Sequence, residues 1–139
     1  MGNPGTGKNH LATAIAKAVK AKRHTVLRVK ATEFLDAYWG QDFKTRDAWM
    51  RELANVHLLV LDEVGRSSNT ANAQNAFFRL IDARYEAVRP TMVLSNLDRQ
   101  GLIEVLGEAA YDRLTEAGAQ RLTFDWQSLR AKAGQGVPA

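Results

Sequence analysis

Residues 2–12, GNPGTGKNHLA, decide the fold of this chain of 139 residues. Gly2, Gly7 and Lys8 fit the pattern G-x-x-x-x-G-K, in which backbone N–H groups converge on phosphate oxygens and the lysine neutralises their charge. Residues 11–19 carry apolar side chains at helical spacing, so a helix begins inside the motif and directs its positive end at the phosphates. The motif predicts a nucleotide site, and its alternative is a glycine-rich turn before a helix.

Asn9 departs from the usual motif, which places a serine or threonine after the lysine. The hydroxyl at that position normally binds Mg²⁺. An asparagine offers an amide oxygen instead, which could bind the metal directly or through a water molecule. A magnesium site is therefore compatible with Asn9, with an amide oxygen as the ligand instead of a hydroxyl.

The chain has 45% hydrophobic and 24% charged residues, a composition typical of a globular protein. No apolar run approaches the roughly 20 residues that span a bilayer, and nothing resembles a secretory leader. There is no cysteine, so disulfides and thiolate metal sites are excluded. We expect a cytoplasmic protein without a membrane partner. The net charge of +4 permits a polyanionic partner.

Strands and helices are predicted to alternate along the chain. Short β-branched or apolar runs predict strands near 25–29, 57–61, 91–95 and 120–124. Helical patterns fill the intervals, at 31–38, 47–55, 71–87, 98–106 and 108–116. This alternation predicts an α/β fold with a parallel sheet sandwiched by helices. We place one domain at residues 1–131 and a flexible tail at 132–139.

Polar side chains follow two of the predicted strands. The run at 58–61 leads into Asp62 and Glu63, and the next strand leads into Ser95 and Asn96. Carboxyl ends of parallel strands meet at one edge of the sheet, where Asp62 could hold a metal and Glu63 could polarise a water molecule. The alternatives are an acidic strand end and a Ser-Asn turn. Arg113 is either a surface ion pair or an arginine finger.

Five stretches together resemble the ATPase domain of bacterial and phage replicative-helicase loaders of the DnaC type, which belong to the AAA+ class of P-loop NTPases. In chain order they are GNPGTGKNHLATAIA, LLVLDEVG, LSNLD, LGEAAYDRL and FDWQSLR. The similarity runs from residue 2 to about residue 130. An asparagine after the lysine is a feature of this loader group, so Asn9 resembles a family trait.

The resemblance implies an ATPase with ATP and Mg²⁺ as cofactors. Asp62 and Asn9 would then hold the metal, while Glu63, Asn96 and the trans-acting finger Arg113 would serve catalysis. The residues implied to bind the nucleotide are Gly2, Asn3, Pro4, Gly5, Thr6, Gly7, Lys8, Asn9, His10 and, as the sensor II arginine, Arg130.

The resemblance also implies a role in DNA replication. Such loaders deliver a replicative DNA helicase to single-stranded DNA and assemble head-to-tail into a spiral or ring. Tyr38, Trp39 and Phe43 lie among Lys44 and Arg46, the mixture of aromatic and basic residues that binds single strands. The alternative for these aromatic residues is packing between helices. Alternatives for the whole chain are an IstB-type transposition helper ATPase and a remnant that binds nucleotide or DNA without turnover.

The chain departs from the resemblance at its start. AAA+ cores order their strands 5-1-4-3-2, and the central first strand leads into the phosphate loop. Only Met1 precedes Gly2 in this sequence, so the four predicted strands correspond to strands 2 to 5. We expect the central strand and the helicase-binding N-terminal domain to be missing, because the chain is a fragment of a longer protein, its start is misplaced, or it depends on another chain. We expect no helical lid, as in the loaders, and impaired ATPase activity of the isolated chain.

Overall fold

The computed structural model describes residues 7–65 and 70–116. The elements alternate as predicted in this part of the chain. The predicted strand at 120–124 and the tail at 132–139 lie outside it. In chain order the elements are α1 (Lys8–Ala21), β1 (Val26–Lys30), α2 (Ala31–Gly40), α3 (Phe43–Asn55), β2 (Leu58–Val64), α4 (Ala71–Glu86), β3 (Thr91–Ser95), α5 (Arg99–Leu106) and α6 (Glu108–Thr115).

The three strands form a parallel sheet in the order β1-β2-β3. This order confirms the predicted parallel sheet and agrees with the neighbouring positions 2, 3 and 4 of the AAA+ arrangement. Within the described residues β3 pairs with β2 alone, so its other edge carries no strand partner from residues 7–65 or 70–116. In the part of the chain that the structure describes, β3 is therefore at one edge of the sheet.

The central strand β2 is buried on both faces, as its continuous apolar run predicts. Leu59 and Leu61 join the larger core, to which α2 to α6 all contribute. Leu58 and Val60 face the other way and pack with Ala12 of α1. Successive side chains of a strand point to opposite faces, so α1 lies on one side of the sheet and the other helices on the opposite side. The predicted sandwich is confirmed.

Two predicted boundaries were wrong, and the first has a local cause. Helix α3 begins at Phe43 instead of residue 47, because the Asp42 carboxylate accepts a hydrogen bond of 2.8 Å from the Thr45 N–H and caps the helix. That bond also lowers the pKa of Asp42. Strand β2 does not end before the acidic pair, since it continues through Asp62 and Glu63 to Val64. The predicted cap at Asp98 is confirmed, with a 2.8 Å bond from the Gly101 N–H.

A buried arginine fixes the amino-terminal ends of two strands. Arg84 of α4 is fully buried, and burial lowers its pKa to about 10. Its guanidinium donates to five acceptors that lie at the end of α3 and at the starts of β2 and β3. They are the carbonyls of Leu53 (2.6 Å), Val56 (2.9 Å), His57 (3.4 Å) and Pro90 (2.6 Å) and the hydroxyl of Thr91 (2.8 Å).

Replacing Arg84 with alanine is expected to lower the free energy of unfolding by about 3 kcal/mol or more. The variant leaves a cavity and removes the donor that four carbonyls share, one of them in a buried bond. Chemical denaturation measures the loss, and Arg51→Ala, which removes an exposed arginine of α3, is the control with an expected change within about 0.5 kcal/mol. Equal stability of the two variants would contradict this role for Arg84.

Candidate nucleotide-binding site

The amino-terminal end of α1 presents the last residues of the glycine-rich motif. Gly7 has a φ of 96°, in the left-handed region that glycine adopts without strain, and Lys8 is the first residue of the helix. Among the described residues no side chain caps this end, and its first turn contains no acidic residue. The helix end therefore suits an anion. Residues 2–6 of the predicted loop lie outside the described part of the chain.

Asp62 is a nearly buried carboxylate close to the carboxyl end of β2, with 7% of its surface exposed. Its Oδ1 accepts a 2.8 Å hydrogen bond from the Glu63 N–H. Its Oδ2 accepts two bonds from Arg28 of β1, one of 2.7 Å from Nη2 and one of 3.0 Å from Nε. The carboxylate is thus held in one orientation by bonds to both of its oxygens.

Arg28 also joins Asp62 to Asn9. The same Nη2 donates a 2.8 Å hydrogen bond to the Asn9 Oδ1, so the two oxygens converge on one atom. Amide and carboxylate oxygens are ligands that Mg²⁺ accepts, and the predicted pair Asn9 and Asp62 therefore fits a metal. Residues 7–65 and 70–116 contain no group of three or more His, Cys, Asp or Glu that could hold a metal. Phosphate oxygens and water would complete such a site.

Arg28 was not among the predicted site residues. The signal that could have found it is a charged side chain in the middle of VLRV, an otherwise apolar strand segment. Sequence spacing could not show its target, because 34 residues separate it from Asp62 and 19 separate it from Asn9. The pairing of β1 with β2 brings Arg28 to Asp62, and the packing of α1 against the sheet brings Asn9 to both.

Glu63 lies at an irregularity in β2. The register with β3 shifts between Leu61 and Val64, and Glu63 has a φ of 53°, which is uncommon for a residue other than glycine. Bulges of this kind redirect a side chain beside the regular ladder, and strained backbone is often found at functional sites. Glu63, which is predicted to polarise water, therefore has a backbone geometry that differs from that of an ordinary strand end.

The end of β3 is tied to the end of β2. Ser95 is buried, and its hydroxyl donates to the Val64 carbonyl at 2.5 Å and accepts from the Leu97 N–H at 3.0 Å. Gly65 has a φ of 125°, and a Cβ there would lie 2.8 Å from the Leu97 side chain. These contacts hold the turn that exposes Asn96 next to the strand end that carries the acidic pair.

Arg113 lies on α6 with partners of its own chain. Its Nε donates to Asp82 at 3.1 Å, its Nη1 approaches Glu116 at 3.5 Å, and its guanidinium lies 4.8 Å from the centre of the Tyr85 ring. The hydrogen bond to Asp82 is the main reason that its pKa is raised. The contacts described for Arg113 do not join it to Asn9, Arg28 or Asp62. Arg130 lies outside the described residues.

The predicted cluster of aromatic residues divides into buried and exposed members. Tyr38 is buried, its hydroxyl accepts a 2.7 Å bond from Arg79, and the Arg46 guanidinium lies 4.7 Å from its ring centre. Packing, the alternative stated above, therefore holds for Tyr38. Trp39 and Phe43 remain 44% and 75% exposed.

A groove lies between α1 and β3. Its volume is about 640 Å³, and Leu11, Ile15 and Val19 of α1 face Met92 and Leu94 of β3 across it. Lys8 also lines this groove, so the lysine of the motif borders an apolar surface.

Comparison with known proteins places these features in a family context. The model of a family described as IstB-like ATP binding protein matches residues 1–134. The replicative helicase loader DnaC of Buchnera aphidicola subsp. Baizongia pistaciae (strain Bp) is 36% identical over 135 residues, which cover 94% of this chain and 55% of that protein. The chain thus spans about half the length of the curated relatives that it matches.

Two solved structures share the architecture. A crystal structure of the DnaC helicase loader has a TM-score of 0.73 at 25% identity, covering 89% of this chain and 75% of that one. The replication initiator DnaA bound to AMPPCP and single-stranded DNA has a TM-score of 0.75 at 25% identity, covering 91% of this chain and 39% of that one. These likenesses confirm the predicted AAA+ fold class. No helix in the described residues is long and apolar enough to cross a membrane.

Proposed function

The chain belongs to the IstB-like ATP-binding protein family, and from this membership we propose that it binds ATP with Mg²⁺ and hydrolyses it as the ATPase domain of a helicase loader in DNA replication. The observation that carries the proposal is that the Asn9 Oδ1 and the Asp62 Oδ2 bind the same atom, the Nη2 of Arg28. An amide and a carboxylate brought together beside the end of a phosphate-binding helix fit a metal-bound nucleotide.

Each residue of the site has a proposed role in the reaction. Lys8 and the end of α1 bind the phosphates, and Asn9 with Asp62 holds the metal, which when bound neutralises phosphate charge. Glu63 accepts the proton of the attacking water, and the exposed amide of Asn96 orients that water or the terminal phosphate. His10 and Arg130 remain proposed contacts of the nucleotide.

The proposed partners are a replicative helicase, single-stranded DNA and further copies of the chain. The exposed rings of Trp39 and Phe43, with Lys44 beside them, suit stacking on bases and contact with phosphates. Arg113 is held by α4 and α6 of its own chain, and a finger that acts on the next subunit gives a heterologous, head-to-tail interface. Capture of a replicative helicase, but not of a transposase, would distinguish a loader from a transposition helper.

Replacing Lys8 with alanine is expected to weaken binding of MgATP on the order of tenfold to a hundredfold, because a charged hydrogen-bond donor to phosphate is lost. Equilibrium titration with a fluorescent ATP analogue measures the affinity. Lys17→Ala is the matched control, since Lys17 lies on the same helix and is exposed. If both variants bind as tightly as the unaltered chain, the assignment of Lys8 to the phosphate site is wrong.

A further inference from the structure

The guanidinium of Arg28 lies where the two proposed metal ligands converge. Its Nη2 is 2.7 Å from the Asp62 Oδ2 and 2.8 Å from the Asn9 Oδ1, so one cationic nitrogen bonds to both oxygens. The Arg28 side chain is 39% exposed, whereas that of Asp62 is 11% exposed. The arginine is therefore the more exposed partner of a carboxylate that lies in the strand.

Burial explains why Asp62 needs such a partner. A carboxylate with little access to water is costly unless an opposite charge or hydrogen bonds compensate it. Mg²⁺ bound to the Asp62 Oδ2 would supply the same compensation. It would also repel a guanidinium in contact with the same oxygen, because two cations at that separation interact unfavourably.

We propose that Arg28 is a positioning residue that takes the place of the metal when no metal is bound, and that Mg²⁺ with its nucleotide displaces it. This inference rests on the proposed nucleotide site. In the metal-free chain Arg28 keeps the Asn9 and Asp62 oxygens directed at one point. With the metal bound, Arg28 would release both oxygens and turn toward solvent, which its exposure allows.

If the metal displaces Arg28, its binding must break the hydrogen bonds from Arg28 to the Asn9 and Asp62 oxygens, and this lowers the affinity for the metal. Substituting Arg28 with methionine removes the competing charge and keeps an unbranched apolar stem. The bond from the Glu63 N–H to the Asp62 Oδ1 remains to orient the carboxylate in that variant. Metal-dependent nucleotide binding should therefore become tighter in Arg28→Met, by about threefold to tenfold for a partly exposed ion pair.

The test uses the full chain and a fluorescent ADP analogue, titrated once in excess Mg²⁺ and once in EDTA. The dissociation constant in EDTA divided by the dissociation constant in Mg²⁺ measures how much the metal contributes to nucleotide binding. This measurement requires no hydrolysis. The ratio is expected to increase in Arg28→Met, to change less in Arg28→Lys, which retains a cation, and to stay constant in the control Arg51→Met. A residue with only a structural role would lower the ratio when it is removed.

Thermal unfolding in EDTA provides a second measurement. Arg28→Met should melt at a lower temperature than the unaltered chain without metal, and the difference should shrink when Mg²⁺ and ADP are added. If the unaltered chain binds nucleotide but the ratio is unchanged or smaller in Arg28→Met, this inference is overturned and the nucleotide site stands. If neither the unaltered chain nor any variant binds nucleotide, the proposed function fails, and the inference fails with it.

Discussion

Alanine in place of Arg113 is expected to reduce ATP hydrolysis about a thousandfold or more, while the affinity for nucleotide changes less than about threefold. Arg113 is tied to Asp82 and lies over the ring of Tyr85, and its described contacts include neither Asn9 nor Asp62. Its charge is therefore proposed to act at the site of the next subunit, where it would stabilise charge on the transferred phosphoryl group. Steady-state hydrolysis and equilibrium binding are measured at the same protein concentration.

The ion pair with Asp82 supplies the control for Arg113. Asp82→Asn weakens the bond between Arg113 and α4 but leaves the arginine itself unchanged. If Asp82→Asn loses as much hydrolysis as Arg113→Ala, the arginine acts by holding α6 against α4. If hydrolysis persists in Asp82→Asn and nucleotide still binds to Arg113→Ala, the assignment as a finger is supported.

Glutamine in place of Glu63 is expected to slow hydrolysis by about a hundredfold to ten thousandfold, because an amide cannot accept the proton of the attacking water. Binding of MgATP should be nearly unchanged, since glutamine preserves the size of the side chain and its neighbour Asp62 is intact. The control is Glu52→Gln, which alters an exposed glutamate of α3. If neither the unaltered chain nor Glu63→Gln hydrolyses ATP above background, a protein that binds nucleotide without turnover is favoured.

Mixing the two inactive variants tests whether the finger acts between subunits. A subunit with Glu63→Gln retains Arg113, and a subunit with Arg113→Ala retains Glu63. In a head-to-tail assembly some interfaces then combine an intact site with an intact finger. Partial recovery of hydrolysis in the mixture is the expected result. A mixture as inactive as its components would contradict the trans arrangement.

The sequence predicted the features that depend on local pattern. The apolar run before Asp62 indicated a strand buried on both faces, and Asp98 indicated a helix cap. The start of α3 was missed although Asp42 stands three residues before Thr45, a spacing typical of a capping aspartate. The register shift beside Glu63 could not be predicted, because it depends on how β2 pairs with β3.

The two arginines that organise the structure show where sequence patterns fall short. Arg84 continues the stripe formed by Phe77, Leu80 and Ile81 at helical spacing, which places it on the buried face of α4. The pattern alone gives no partner for a buried cation, because the acceptors are four carbonyls and one hydroxyl from three other segments. The partners of Arg28 could not be predicted from its strand either, since they come from α1 and β2.

The position of Arg84 has a consequence for which changes the protein tolerates. Its acceptors lie where β2 and β3 begin, whereas Asp62, Glu63 and Asn96 lie where these parallel strands finish. The residues that anchor the fold and the residues proposed for chemistry thus occupy opposite ends of the same sheet. Substitutions at the chemical end can alter nucleotide preference or turnover while the anchor persists, so activity can diverge within this architecture without a matching loss of stability.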